Sequence, residues 1–171
     1  MSNRTSKRVS EFEDVHIVTD DIPYETLYRV KLFFESEIDQ FMREIGYGDP
    51  ERYTDENGWR TIRKGSAIGM VGITIEEKSV VLHAHAFVMQ LPSDRDLIVP
   101  LMRELLEINA TIPNESRFGI NGSYIIAGIT KSITKFEEDL VPYAIHNVMS
   151  LADDFDDYLI AKYGGTSKSR G

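Results

Sequence analysis

The stretch LMRELLEINATIPNESRFGINGSYIIAGITKSI, residues 101–133, decides the fold. Leu101, Leu105 and Ile108 recur at three- and four-residue steps, so it opens as the end of an amphipathic helix. Asn109 predicts the stop, as a residue that tolerates the left-handed conformation. A polar loop over 110–116 follows. Arg117–Ile120 and Ser123–Ile133 then read as two strands around Asn121-Gly122, because both central residues of a type I′ turn need positive φ. The stretch contains no catalytic constellation.

Upstream, Pro23–Ile45 reads as a helix capped by Asp20 or Asp21, with Pro23 near the first helical position, where a missing N–H costs little. Leu27, Val30, Phe34, Ile38, Phe41 and Ile45 form its apolar stripe, and Gly46 and Gly48 end it. Trp59–Arg63, Ala67–Glu76 and Val80–Leu91 read as three strands, the last two joined by a polar turn at Glu77-Lys78. Pro92, Ser93 and Asp94 open a second helix with the stripe Leu97, Leu101, Leu105 and Ile108. Pro100 predicts a kink there or a detached first turn. Downstream, a helix from Thr134 or Lys135 to Tyr163 carries Phe136, Leu140, Ala144, Val148, Leu151, Phe155 and Leu159 on one face. Pro142 predicts a later start or a bend.

The order helix, three strands, helix, two strands, helix is α+β: an antiparallel sheet packed against helices. Strand 67–76 is apolar on both faces (Val71, Ile73 and Ile75; Ile68 and Met70), and so is strand 123–133. The second face of such a sheet needs a cover of helices or of a partner.

Composition bounds the function. The chain has 171 residues, 42% of them hydrophobic, which suits one folded domain with a substantial core. Residues 1–10 and 166–171 read as mobile tails around a single domain over 11–165. A net charge of -9 and a pI near 4.9 argue against nucleic-acid and anionic-membrane binding, which need a positive field. No cysteine is present, which excludes disulfides, thiolate metal sites and cysteine nucleophiles. No apolar leader and no run of about 18 apolar residues occurs, so a soluble cytoplasmic protein is expected. The triplets at Asn114 and Asn121 then read as chance glycosylation matches.

Taken in order, Leu105-Leu106-Glu107-Ile108-Asn109, Arg117-Phe118-Gly119-Ile120, Gly122-Ser123-Tyr124-Ile125-Ile126 and Ala152-Asp153-Asp154-Phe155-Asp156 carry a family resemblance. Over residues 24–165 the chain resembles the YbjN-like proteins, a bacterial family placed in the type III secretion chaperone-like fold and described as sensory-transduction regulators. The resemblance implies a small acidic homodimer that holds extended segments of client proteins. It implies no catalytic residue.

The chemistry-bearing motifs are sparse. His83 and His85 lie two apart on a strand, so both rings share a face and can reach one metal; a third ligand has to come from His16, His146 or a carboxylate. The structural reading packs them among Val81, Phe87 and Met89. Asp153, Asp154, Asp156 and Asp157 read as a solvated acidic face flanking Phe155 rather than a Mg²⁺ site, since no second metal-binding helix accompanies them. Gly65, Gly69 and Gly72 sit in strand patterns without a phosphate-loop Lys-Ser/Thr pair, and there is no Gly-x-Ser-x-Gly elbow. Trp59 and Phe12 read as packing residues.

The expectation is a non-enzymatic, chaperone-like or regulatory protein-binding domain without cofactor or metal. Its partner is a protein or peptide client, with Val81, His83, His85, Phe87 and Met89 as the binding face. Leu97, Leu101 and Leu105 are the candidates for self-association. The alternative is a small-molecule- or metal-sensing domain centred on His83 and His85.

Overall fold

The computed structural model describes residues 22–137 and 139–166. The proposed caps Asp20 and Asp21, together with Phe12, His16 and the 1–10 tail, lie outside the described residues. So does the 166–171 tail beyond Thr166.

The elements are α1 (Tyr24–Glu44), β1 (Arg60–Lys64), β2 (Ala67–Glu76), β3 (Ser79–Gln90), α2 (Ile98–Asn109), β4 (Arg117–Asn121), β5 (Tyr124–Ser132) and α3 (Leu140–Tyr163). The strands form one antiparallel sheet in the order β1-β2-β3-β5-β4. The α+β architecture expected from the sequence is the one observed.

Both helix prolines act through their missing N–H. Pro100 and Pro142 each occupy the third position of their helix, where the N–H has no intrahelical acceptor. The first turn before α2 accordingly splits off as a 3₁₀ turn, Arg95–Leu97, capped by the Asp94 side chain on the Asp96 N–H. The last helix starts at Leu140 instead of 134 or 135.

Among the described residues, the three helices cover one face of the sheet. Ile62, Val71, Ile73, Leu82, Ala84, Ala86, Ile125, Ala127 and Ile129 share that face by register and belong to one contiguous core, with Arg60 and Gly69 buried on the same face. Its centre is built of small residues, which lets α3 approach closely. A Cβ on Gly69 would stand 2.5 Å from the Met149 sulfur. On α1 the buried stripe is Leu27, Val30, Phe34, Ile38 and Met42; Phe41 is only partly buried and Ile45 is 46% exposed, so the stripe keeps its four-residue step to Met42. Arg60 ties α1 to the sheet: buried at 7% exposure, it donates to both Asp39 oxygens (3.0 and 3.3 Å) and lies 3.5 Å from Glu35.

Two local expectations shift. The hairpin after α2 exists, but Asn121 pairs with Tyr124, so the loop is Gly122-Ser123. Positive φ falls on Gly122 (59°) alone, the pattern of a type II′ turn rather than I′. Asn109 does not enter the left-handed region; it stays helical, and its side chain reaches the sheet instead.

Candidate functional site

The sheet's other face carries the candidate site. Ile68 and Met70 on β2, His83, His85 and Phe87 on β3, and Tyr124 and Ile126 on β5 alternate with the core residues, and each is half-buried. Among the described residues no helix lies over them. Trp59 crosses this face: a Cβ on Gly72 would stand 2.9 Å from the indole, so glycine there is a seat for the ring. The seat is set locally, because the Asp55 carboxylate accepts from the Asn57 and Trp59 N–H groups, each at 2.9 Å.

The rings form a chain across the face. Trp59 lies 5.8 Å from His83 and 5.7 Å from His85; His85 meets Phe87 edge-on at 5.7 Å, and Phe87 meets Tyr124 edge-on at 5.4 Å. The result is a mainly apolar, aromatic strip with a polar end. There His83 Nε2 lies 2.9 Å from Thr74 Oγ1 and 2.8 Å from Glu76 Oε1.

Of the five residues proposed for the binding face, the structure keeps His83, His85 and Phe87 together. Val81 shares their side but is buried at 4% exposure. Met89 does not belong to it. Phe87 pairs with Ile126 and Met89 with Ile125, so a bulge at Val88 flips the alternation and turns Met89 into the helix-side core at 0% exposure. Trp59, Met70, Tyr124 and Ile126 join the face instead. Trp59 was read as packing, Met70 only as one side of its own strand, and Tyr124 and Ile126 only as carriers of the family resemblance, because register alone shows which sides of neighbouring strands coincide.

The self-association candidates also move. Leu101 (0% exposed) and Leu105 (4%) are core residues, and Leu97 packs against them. What α2 presents outward is Val99 at 75% exposure and Leu106 at 68%, two turns apart on one stripe.

The histidine pair does share a side, as its spacing predicts. His146 cannot complete it, since it lies on α3 on the other side of the sheet. No group of three His, Cys, Asp or Glu side chains able to hold a metal converges among the described residues. In the acidic run, Asp153, Asp154 and Asp157 are exposed as expected. Asp156 is buried and accepts a hydrogen bond from Ser66 in the β1–β2 turn at 3.1 Å. A separate polar groove of about 500 Å³ lies between β4, β5 and the start of α3; there Lys131 pairs with Glu115 at 3.2 Å and lies 3.8 Å from Glu137.

The sheet edges differ. Outside β1, Thr54 bridges to Arg60 and the Tyr47 hydroxyl accepts from the Arg63 N–H at 2.6 Å, so chain and side chain already cover that edge. Outside β4, the Asn109 carboxamide accepts from the Phe118 N–H at 2.7 Å and donates to its C=O at 3.1 Å.

Comparisons with known proteins agree with this architecture. Residues 35–170 match the family described as T3SS (YopN, CesT) and YbjN peptide-binding chaperone 1. A chain from the crystal structure of the ExsC–ExsE complex superposes with a TM-score of 0.58 at 13% identity, covering 75% of this chain and 95% of that one. The Yersinia pestis type III secretion chaperone SycH, crystallised with a stable fragment of YscM2, gives 0.49 at 14% identity, with 71% and 98% covered. YbjN from E. coli gives 0.41 at 10% identity, with 74% and 92% covered. No curated protein sequence matches the chain.

Proposed function

Because the chain belongs to the T3SS and YbjN peptide-binding chaperone family, we propose that it is a non-enzymatic chaperone-like protein that holds an extended segment of a partner protein against the second face of its sheet. The observation that carries this reading is the aromatic strip Trp59–His85–Phe87–Tyr124 on the face opposite the described helices. A strip of half-buried rings offers large contact area at little side-chain entropy cost, with sequence tolerance suited to a peptide. His83, Thr74 and Glu76 at one end supply polar contacts that set orientation.

The chain has one tryptophan, and it sits on this face, so its emission reports docking directly. Peptides of about ten alternating apolar and polar residues are expected to shift Trp59 emission saturably. Phe87→Ala is expected to weaken that binding by about 1–2 kcal/mol, a loss typical of a truncated aromatic anchor. Saturable peptide binding that leaves Trp59 emission and the Phe87→Ala affinity unchanged places the client elsewhere.

Homodimerisation forms part of the proposal, now through the outward stripe of α2. Val99 and Leu106 are large, apolar and exposed on one helix face, whereas Leu101 and Leu105 are already used inside the monomer. Light scattering at micromolar concentration is expected to give twice the chain mass, and Leu106→Glu to return it to the monomer. A monomeric parent chain contradicts the dimer.

A further inference from the structure

The family match covers residues 35–170, and residues 1–21 lie outside it. That segment is not uniformly polar: it carries Val9, Phe12, Val15, Ile17 and Val18. The place where it joins the domain is defined, because Ile22 packs against the core just before α1. Just past the far end of α1, the Tyr47 hydroxyl accepts from Arg63, which pairs with Ile68 at the start of β2. Nearer its beginning, Phe33 and Phe34 meet Phe136 at 5.2 and 5.5 Å. Ile133, just before Phe136, donates its N–H to the Val80 carbonyl at 2.8 Å, beside the β2–β3 turn. The segment therefore enters the domain at the end of the sheet that carries this turn.

That end is also the polar end of the aromatic strip. Running inward from it, the sheet presents Lys78 in the turn, then Glu76 and His83, then the rings of Trp59, His85, Phe87 and Tyr124. Running back from Ile22, the chain presents Asp21 and Asp20, then Val18, Ile17, Val15 and Phe12. The two orders correspond. Carboxylates come first, on the side of the Lys78 cation, and the apolar group follows at the rings. Reach is sufficient too. Extended chain spans about 3.3 Å per residue, so the stretch back to Phe12 covers about 30 Å, enough to round the sheet end. The strip itself advances in ring-to-ring steps of 5.7, 5.7 and 5.4 Å.

We propose that residues 9–21 of this chain are the resident cover of the aromatic face, an internal stand-in that a client segment displaces. The displacement rests on the peptide-binding reading above; the cover itself does not. Such a cover keeps a large apolar face out of water between clients. It also sets a threshold for binding. A face covered about nine-tenths of the time takes a client about tenfold more weakly than an open one, so only segments that outcompete Phe12 and its apolar neighbours are held.

The chain has no cysteine, so Ser10→Cys places a single nitroxide label in the segment of the otherwise intact protein. In NMR spectra the label is expected to broaden the Trp59 indole and the amides of His85 and Phe87, and to spare the exposed Asp154 on α3. Phe12→Glu/Ile17→Glu in the same full chain is expected to remove that broadening and to shift Trp59 emission to the red. The double variant is also expected to bind the alternating apolar and polar peptides about tenfold tighter than the parent chain. Broadening that is absent, or confined to the outer faces of the helices, overturns the cover and leaves peptide binding intact. Broadening seen only between a spin-labelled chain and a separate isotope-labelled one assigns the cover to a second copy and also overturns it. Equal peptide affinity for parent and double variant overturns the displacement. Broadening of the face with no peptide bound by either protein supports the cover and overturns the client reading.

Discussion

Glu77 holds φ at +51° in the two-residue loop between β2 and β3, where Glu76 pairs with Ser79. The corresponding loop positions of the other two hairpins, Gly65 and Gly122, are glycines at +57° and +59°. A side chain in the left-handed region costs about 1 kcal/mol, partly offset by the smaller unfolded-state entropy of a non-glycine residue. Glu77→Gly is therefore expected to raise unfolding stability by about 0.5 kcal/mol in urea titration; a loss of stability contradicts the strain. At this scale the sequence was partly legible. The Asn121-Gly122 signal marked a hairpin, but a one-residue difference in register moved the turn to Gly122-Ser123 and changed its type. Asn109 was legible as a helix end and illegible as an edge partner, because its contact with Phe118 depends on where α2 lies beside β4.

The elements are joined by a few polar clamps, and the one between α2 and α3 carries a pH signature. Glu104 accepts hydrogen bonds from Lys162 at 2.8 Å and the Tyr158 hydroxyl at 2.5 Å, and from the Tyr163 hydroxyl. Burial pushes its carboxyl up, but those three donors outweigh it and hold the pKa at about 2, below the ordinary 4.5. A depressed folded pKa contributes stability that is present above about 4.5 and lost as pH falls toward 2. Allowing for solvent screening, Glu104→Gln is expected to cost about 1–2 kcal/mol at pH 7, and the gap to the parent chain to close on acidification. A gap that persists at pH 2 assigns the loss to packing instead. Helix and strand existence was readable from periodicity here, including the effects of Pro100 and Pro142. Whether α2 spends its stripe on its own core or on a partner was not: spacing put Leu97, Leu101 and Leu105 on one face, and only the packing of the folded chain shows that Leu101 and Leu105 are internal.

For the whole molecule, the two-sided apolar strands were the most useful signal. They predicted a sheet whose second face needs a cover, and among the described residues the helices lie on the first. The composition of that second face was read only in part. Strict alternation along 81–89 yielded His83, His85 and Phe87, then failed at the Val88 bulge, which turned Met89 inward. Trp59 joined through a loop whose aim depends on Asp55 and on the open seat at Gly72. Among the described residues no helix is long and apolar enough to cross a membrane. On the function proposed above, a client segment is the second face's cover. The most direct test is an amide and methyl NMR titration of the intact chain with a peptide of alternating apolar and polar residues. The account predicts saturable shifts centred on Ile68, Met70, Phe87, Tyr124, Ile126 and the Trp59 indole, with the Ile38 and Val148 methyls of the helix-side core unmoved. Shifts confined to the outer faces of α1 and α2, or none at saturating peptide, contradict it.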